Sequence, residues 1–254
     1  MGMKWLRISA VLIWAVSLPG AAAAASPMTL AVTPAQLDMG ARFDGTQLTV
    51  SGSVPEGSEL VLRFTGAPAE LHMREKGKVF GLLWMNKEIV TFSNVPRVCL
   101  VETSKTFNEL GPAAEPFGLD KLREALALEE NTGSRDFDAR SELLRLKKRE
   151  GLCNETVGGI QFGAAKDGMQ SFTAQLRVPS SLAPGNYQVE AVALKEGSVV
   201  GQASEPVPAK LVGLPAWLNS LAYKHGTLYG VLATVIAILG GLLIGVFFQS
   251  KGAH

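Results

Sequence analysis

Polar and apolar residues alternate with a period of two along three segments of the chain, 47–54, 59–64 and 171–178. Successive side chains of a β-strand point to opposite faces, so this alternation predicts strands with one buried and one solvated face. Turn-forming residues separate the alternating segments, at Pro55-Glu56-Gly57, Gly66-Ala67-Pro68, Lys76-Gly77 and Glu196-Gly197. Many short strands at even spacing favour an antiparallel β-sandwich.

A Pro-Gly turn before a tyrosine makes this prediction more specific. Pro184-Gly185 leads to Tyr187 and then to an alternating strand. Immunoglobulin-like sandwiches carry a tyrosine that closes a corner at such a place, although an ordinary hairpin turn would have the same sequence. Pro206 and Pro208 indicate an edge strand or an extended lead to the next segment. We expect an immunoglobulin-like sandwich over residues 26–213.

The strand pattern is interrupted between residues 107 and 153, where we predict a helical insertion. Leucines at 119, 122 and 126 have helical spacing, and Asn131-Thr132-Gly133 is expected to end that helix. A second helix is predicted over 138–151, with Asp138 as its N-cap. Five of its residues are basic: Arg140, Arg145, Lys147, Lys148 and Arg149. Such a helix could contact anionic lipid or an acidic partner, but we favour a solvated face whose leucines (143, 144 and 146) pack on the sandwich.

The first 25 residues have the pattern of an export signal. Lys4 and Arg7 precede an apolar run over 8–18, and Ala23-Ala24-Ala25 provides the small residues of a cleavage site, so we expect cleavage before Ser26. An uncleaved anchor is the alternative. It is less favoured because the run is shorter than the roughly 20 residues of a membrane span.

The C-terminal end has a stronger apolar signal. Residues 226–250 contain no charge, and a helix over 226–248 would reach about 34 Å at 1.5 Å per residue, enough to cross a bilayer. We predict a juxtamembrane segment over 214–225, a transmembrane helix over 226–248 and a cytoplasmic tail over 249–254. The exported domain would then face the periplasm from the bacterial inner membrane.

A stripe of small residues repeats every four positions in this helix, at Ala233, Ala237, Gly241 and Gly245. Small side chains let two membrane helices approach closely. The stripe therefore suggests an integral-membrane partner or self-association, although many solitary anchors carry similar residues. The lipid bilayer itself is the other expected contact of the helix.

Charge and chemistry exclude several classes of function. The formal net charge is +1. The chain therefore lacks the excess of basic residues that is typical of nucleic-acid binding. His72 is the only histidine of the predicted domain, too few for a histidine or cysteine zinc site. An acidic group between the two helices lacks the spacing of a calcium loop; its members are Glu129, Glu130, Asp136 and Asp138. We predict no catalytic set, metal or cofactor, and no enzymatic activity.

Cys99 and Cys153 are the only cysteines. In an exported domain, two cysteines favour a disulfide. Two buried free thiols are the alternative.

Several motifs together resemble those of a known family. They include Trp84-Met85-Asn86, Glu150-Gly151-Leu152, Pro184-Gly185-Asn186-Tyr187 and His225-Gly226. The family is that of the putative transmembrane proteins described from alphaproteobacteria. The resemblance implies a single-pass, periplasm-facing protein of the inner membrane, accessory to a transporter such as a sulfite-exporter-type permease. The motifs have no assigned chemistry, so the resemblance assigns no role to any residue.

The leading prediction is therefore a membrane-anchored interaction module in the periplasm. The alternative is a membrane-anchored, hydrolase-like enzyme that uses His72 or the acidic interhelical group.

Overall fold

A computed structural model describes residues 28–80, 82–130 and 138–249. Within these ranges the strands are β1 (Thr29–Thr33), β2 (Leu37–Met39), β3 (Thr46–Pro55), β4 (Glu59–Gly66), β5 (Pro68–Val79), β6 (Leu83–Pro96), β7 (Cys99–Thr103), β8 (Ala127–Glu130), β9 (Cys153–Val157), β10 (Ile160–Lys166), β11 (Met169–Val178), β12 (Gly185–Lys195) and β13 (Ser198–Leu211). The helices are α1 (Phe107–Leu110), α2 (Leu119–Ala125), α3 (Ala139–Arg149), α4 (Leu214–Lys224) and α5 (Gly226–Gln249). The predicted export signal and tail residues 250–254 lie outside the described residues.

Two sheets form a sandwich. One has the strand order β1-β3-β11-β10 and the other β2-β13-β12-β4-β7-β9. The alternating apolar residues of β3, β4, β11 and β12 form one buried cluster, which includes Val50, Phe64, Phe172 and Val189. Pairing is antiparallel except between β2 and β13 and between β7 and β9. The predicted fold class, a mainly β immunoglobulin-like sandwich with a C-terminal apolar helix, is confirmed.

A tyrosine corner fixes the start of β12. Tyr187 Oη donates a hydrogen bond of 2.6 Å to the carbonyl oxygen of Ala183. The Tyr187 ring stacks on Phe64 with 5.3 Å between ring centroids. A side chain at Gly66 would overlap this ring, so a glycine at 66 permits the close approach.

The helical insertion covers the outer face of the six-stranded sheet. Val61 and Val101 of the sheet are buried in one cluster with Leu110, Leu119 and Leu144 of the helices. The sheet is therefore buried on both faces beneath the insertion. As predicted, Asp138 caps α3, since it accepts a hydrogen bond of 3.2 Å from the backbone N–H of Ser141.

Two local predictions were wrong, one in the helical insertion and one in β5. The helix α2 ends at Ala125 rather than near residue 131, and the chain continues as β8, which pairs with β6. Leu128 of this strand packs beside Phe92, and that burial overrides the helical spacing of the leucines. The predicted turn at Lys76-Gly77 lies inside β5, where both residues pair with β6.

Strands β5 and β6 form a long hairpin, here called the arm. Its base is part of a third buried cluster, with Val90 and Phe92 packed against Leu126 and Leu143. Within the described ranges, strand β8 pairs only with residues 91–93 of β6. The outer half of the arm is therefore a two-stranded ribbon.

The C-terminal helices follow the sandwich directly. Gly226–Phe248 of α5 is long and apolar enough to cross a membrane, and no other described part of the chain buries it. The predicted juxtamembrane segment forms the helix α4.

Candidate functional site

Within the part of the chain that the structure describes, the residues weighed for catalysis are not brought together with a catalytic partner. His72 lies on β5 with its side chain exposed; its Nδ1 is 3.0 Å from Thr91 Oγ1 and its Nε2 is 3.4 Å from Glu70 Oε1. Among the described residues, no group of three or more His, Cys, Asp and Glu side chains could hold a metal.

The acidic interhelical group is only partly described. Asp138 is engaged as the N-cap of α3, and hydrogen bonds from Ser141 lower the pKa of its carboxyl. The side chains of Glu129 and Glu130 and the whole of Asp136 lie outside the described part of the chain. The described member of the group thus has a structural role.

The basic residues of α3 are partly used inside the protein. Lys147 Nζ donates to the carbonyl oxygens of Pro96 and Arg97, at 3.1 and 3.2 Å, and burial lowers the pKa of this lysine. Arg140 Nε donates to the carbonyl oxygen of Leu126 at 2.9 Å. These bonds tie α3 to the arm and to the end of α2, as expected for a helix that packs on the sandwich.

The small-residue stripe lies on the exposed helix α5. Side chains added at Gly241 and Gly245 would meet no atom of the described chain within 4 Å. This face is open to lipid or to another helix.

The end of the arm exposes a run of large apolar side chains, here called the arm tip. Its members are Phe80, Leu82, Leu83, Trp84 and Met85. The exposed fraction is 94% for Phe80, 85% for Leu82 and 68% for Trp84. Single exposed apolar residues are common on protein surfaces, but several large ones close together in the chain are typical of a place of contact with a protein or a membrane.

The turn of the arm also holds Phe80 in an unfavourable backbone conformation. Its φ is 52°, in the left-handed region that glycine and asparagine adopt most readily. For a bulky L-residue this conformation costs about 1–2 kcal/mol. Strained residues of this kind are enriched at functional sites, and the strain at Phe80 is only a reason to consider the arm tip as a candidate site.

Three cations lie along β5 on the way to the arm tip, and Lys78 is paired with Trp84 of the tip. Arg74, Lys76 and Lys78 occupy alternate positions of β5 and are exposed. Lys78 Nζ lies 5.5 Å from the centroid of the Trp84 ring, within cation–π range. The arm therefore presents an apolar end beside a basic face.

Sequence analysis missed this surface. Residues 79–85 carry six large apolar side chains around one glycine, Gly81, in a segment that joins two polar strands. That apolar run could have indicated an exposed contact surface, because hairpin turns are ordinarily polar. The incorrect turn at Lys76-Gly77 concealed it.

Comparison with protein families gives a match to residues 27–250, which include the sandwich, the arm and α5. The matching family is described as "Putative transmembrane protein (Alph_Pro_TM)". The chain belongs to this family. Its apolar helix α5 supplies the one candidate membrane span among the described residues of this Alph_Pro_TM protein. No curated protein matches the chain.

Proposed function

We propose that this Alph_Pro_TM protein is a membrane-anchored interaction module. Helix α5 holds the sandwich at the membrane, and the arm tip docks on an integral-membrane protein in the same bilayer. The observation that carries this proposal is the exposure of five large apolar side chains at the end of the arm. The proposal assigns no chemical reaction to the chain.

The arm tip offers enough apolar surface to drive association. Full burial of one large apolar side chain contributes about 1.5–3 kcal/mol. Burial of Phe80, Leu82 and Trp84 together would therefore offset much of the entropy lost when two proteins associate. Anchoring in the same membrane adds to this, because it raises the effective concentration of one partner near the other.

The charges beside the arm tip define the expected partner. Arg74, Lys76 and Lys78 favour a docking surface whose apolar centre has acidic residues at its rim. The family resemblance directs the search to an inner-membrane permease, with the sulfite-exporter type as the first candidate.

A periplasmic orientation completes the proposal. We propose that residues 1–25 are a cleaved export signal and that the sandwich faces the periplasm of a bacterial inner membrane. A periplasmic reporter inserted at Gly197, in the β12–β13 turn, should be active, and a cytoplasmic reporter after Lys251 should be active. The reverse result at either position would refute the orientation.

The docking is tested on the full chain, purified from its membranes in mild detergent with bound proteins identified by mass spectrometry. A triple variant should no longer recover the membrane partner; its substitutions are Phe80→Ser, Leu82→Ser and Trp84→Ser. Val157→Ser with Val199→Ser is the matched control, because both valines are exposed and lie outside the arm. Equal recovery with the arm-tip variant would overturn the proposal.

A single substitution separates docking from folding. Phe80→Gly removes an exposed ring and relieves the positive φ, so the variant should be as stable as the wild type or more stable by about 1 kcal/mol. It should nevertheless recover less partner. A stable Phe80→Gly variant with unchanged recovery would show that the ring takes no part in docking.

A further inference from the structure

A second surface lies at the side of the sandwich, away from the residues of the arm tip. Strand β10 begins at Ile160, opposite Ala174 of β11. Among the described strands, residues 175–178 of β11 therefore pair on one side only, with β3. A cleft of about 650 Å³ opens beside this free edge, within the size range of small-molecule sites.

The parallel strands β7 and β9 form the opposite wall of the cleft. Their register places Leu100 beside Asn154 and Glu102 beside Thr156. Residues directly paired in a sheet share a face, so these four side chains lie together, and all four residues line the cleft.

Glu102 is the unusual member of this wall. It is only 7% exposed, and no hydrogen bond or ion pair to its carboxylate occurs among the described residues. Burial raises the pKa of the Glu102 carboxyl. The carboxylate oxygens keep some contact with solvent, so a ligand group in the cleft can reach the carboxylate and bond to it.

Gly159 leaves room for this carboxylate. A Cβ at position 159 would overlap Glu102 Oε1. The backbone next to β10 therefore accommodates the Glu102 head group only because residue 159 has no side chain.

Exposed residues of both charges line the cleft, and one of them is the acidic Asp44. Lys148 from the last turn of α3 and Arg177 from β11 are exposed lining residues. Neither makes an ion pair within the described ranges. The lining of the cleft thus combines two acidic residues, Glu102 and Asp44, with two cations.

We propose that this cleft binds a small zwitterion of the amino-acid or short-peptide class. The ligand's ammonium group contacts Glu102, and its carboxylate contacts Lys148 and Arg177. Asn154 and Thr156 supply neutral hydrogen-bonding groups between these ends. The proposal is independent of docking through the arm.

Isothermal titration of the full chain in detergent tests this site with three probes: alanyl-alanine, its N-acetyl derivative and its C-terminal amide. Alanyl-alanine should bind. Removal of either ligand charge should weaken binding about tenfold or more, since a hydrogen bond to a charged group contributes about 1.5–3 kcal/mol. Failure of alanyl-alanine to bind, or equal binding of all three probes, would overturn the proposal.

A substitution of Glu102 tests the same site by changing the protein instead of the ligand. Glu102→Gln keeps the shape of the side chain and should weaken alanyl-alanine binding about tenfold. Glu205→Gln on β13 is the control, because this residue does not line the cleft, and it should bind as the wild type does. Unchanged affinity of a folded Glu102→Gln variant would contradict the assignment.

Discussion

Cys99 and Cys153 lie directly opposite each other on the parallel strands β7 and β9, with their sulfur atoms bonded and their Cα atoms 4.5 Å apart. They are separated by 54 positions in sequence. The chain between them contains the helical insertion with α1, α2 and α3. The bond therefore closes the insertion onto the edge of the six-stranded sheet.

Loss of this bond should destabilise the fold. Replacement of both cysteines by serine should lower the free energy of unfolding by about 2–4 kcal/mol, because the unfolded chain gains freedom. Thermal unfolding with and without reductant measures the effect. Thiols that can be labelled in unfolded, unreduced wild-type protein would contradict the bond.

The tyrosine corner should contribute measurably to stability. Tyr187→Phe keeps the stacked ring but removes the hydrogen bond to Ala183, leaving a carbonyl oxygen without its donor. We expect a loss of about 1–2 kcal/mol. Tyr223→Phe is the control, since Tyr223 is exposed on α4. Equal thermal unfolding of the Tyr187 and Tyr223 variants would refute this role.

Sequence patterns predicted those parts of the fold in which local and tertiary preferences agree. The alternation in β3 and β11, the cap at Asp138 and the corner at Tyr187 each depend on a few neighbouring residues. The end of α2 was mispredicted because burial of Leu128 against Phe92, some 36 positions away, decides the conformation there. Glu102 was not found because its burial depends on the pairing of β7 with β9 and on Gly159.

The buried carboxyl of Glu102 should make stability depend on pH. Burial raises its pKa above the ordinary value of 4.5, so the folded state binds this proton more tightly than the unfolded state does. This contribution is present below the ordinary pKa and is lost as pH rises through the raised value. Glu102→Gln should therefore be slightly more stable than the wild type at about pH 7, by less than about 1 kcal/mol because solvent screens the partly accessible carboxylate.

Measurement of stability at several pH values tests whether ionisation of Glu102 destabilises the fold. Thermal unfolding of both proteins should converge as the pH falls to about 3, where the carboxyl is largely protonated in both states. A stability difference that does not change between the two pH values would show that ionisation of Glu102 is not its cause.

The stripe on α5 gives a separate prediction about the membrane. Gly241→Leu with Gly245→Leu keeps the apolar span but fills the face on which a helix could pack. If the stripe contributes to association, this variant should insert normally and lose its partner or its self-association, as measured by crosslinking in membranes. Unchanged association would leave α5 as an anchor only.

Photo-crosslinking at the arm tip tests the central claim most directly. A photoreactive residue in place of Leu82, in the full chain in living cells, should crosslink to an integral-membrane protein upon irradiation. The same residue in place of Val199, exposed on β13, should not give that product. Crosslinks from position 82 to lipid alone, or the same protein product from both positions, would contradict the account.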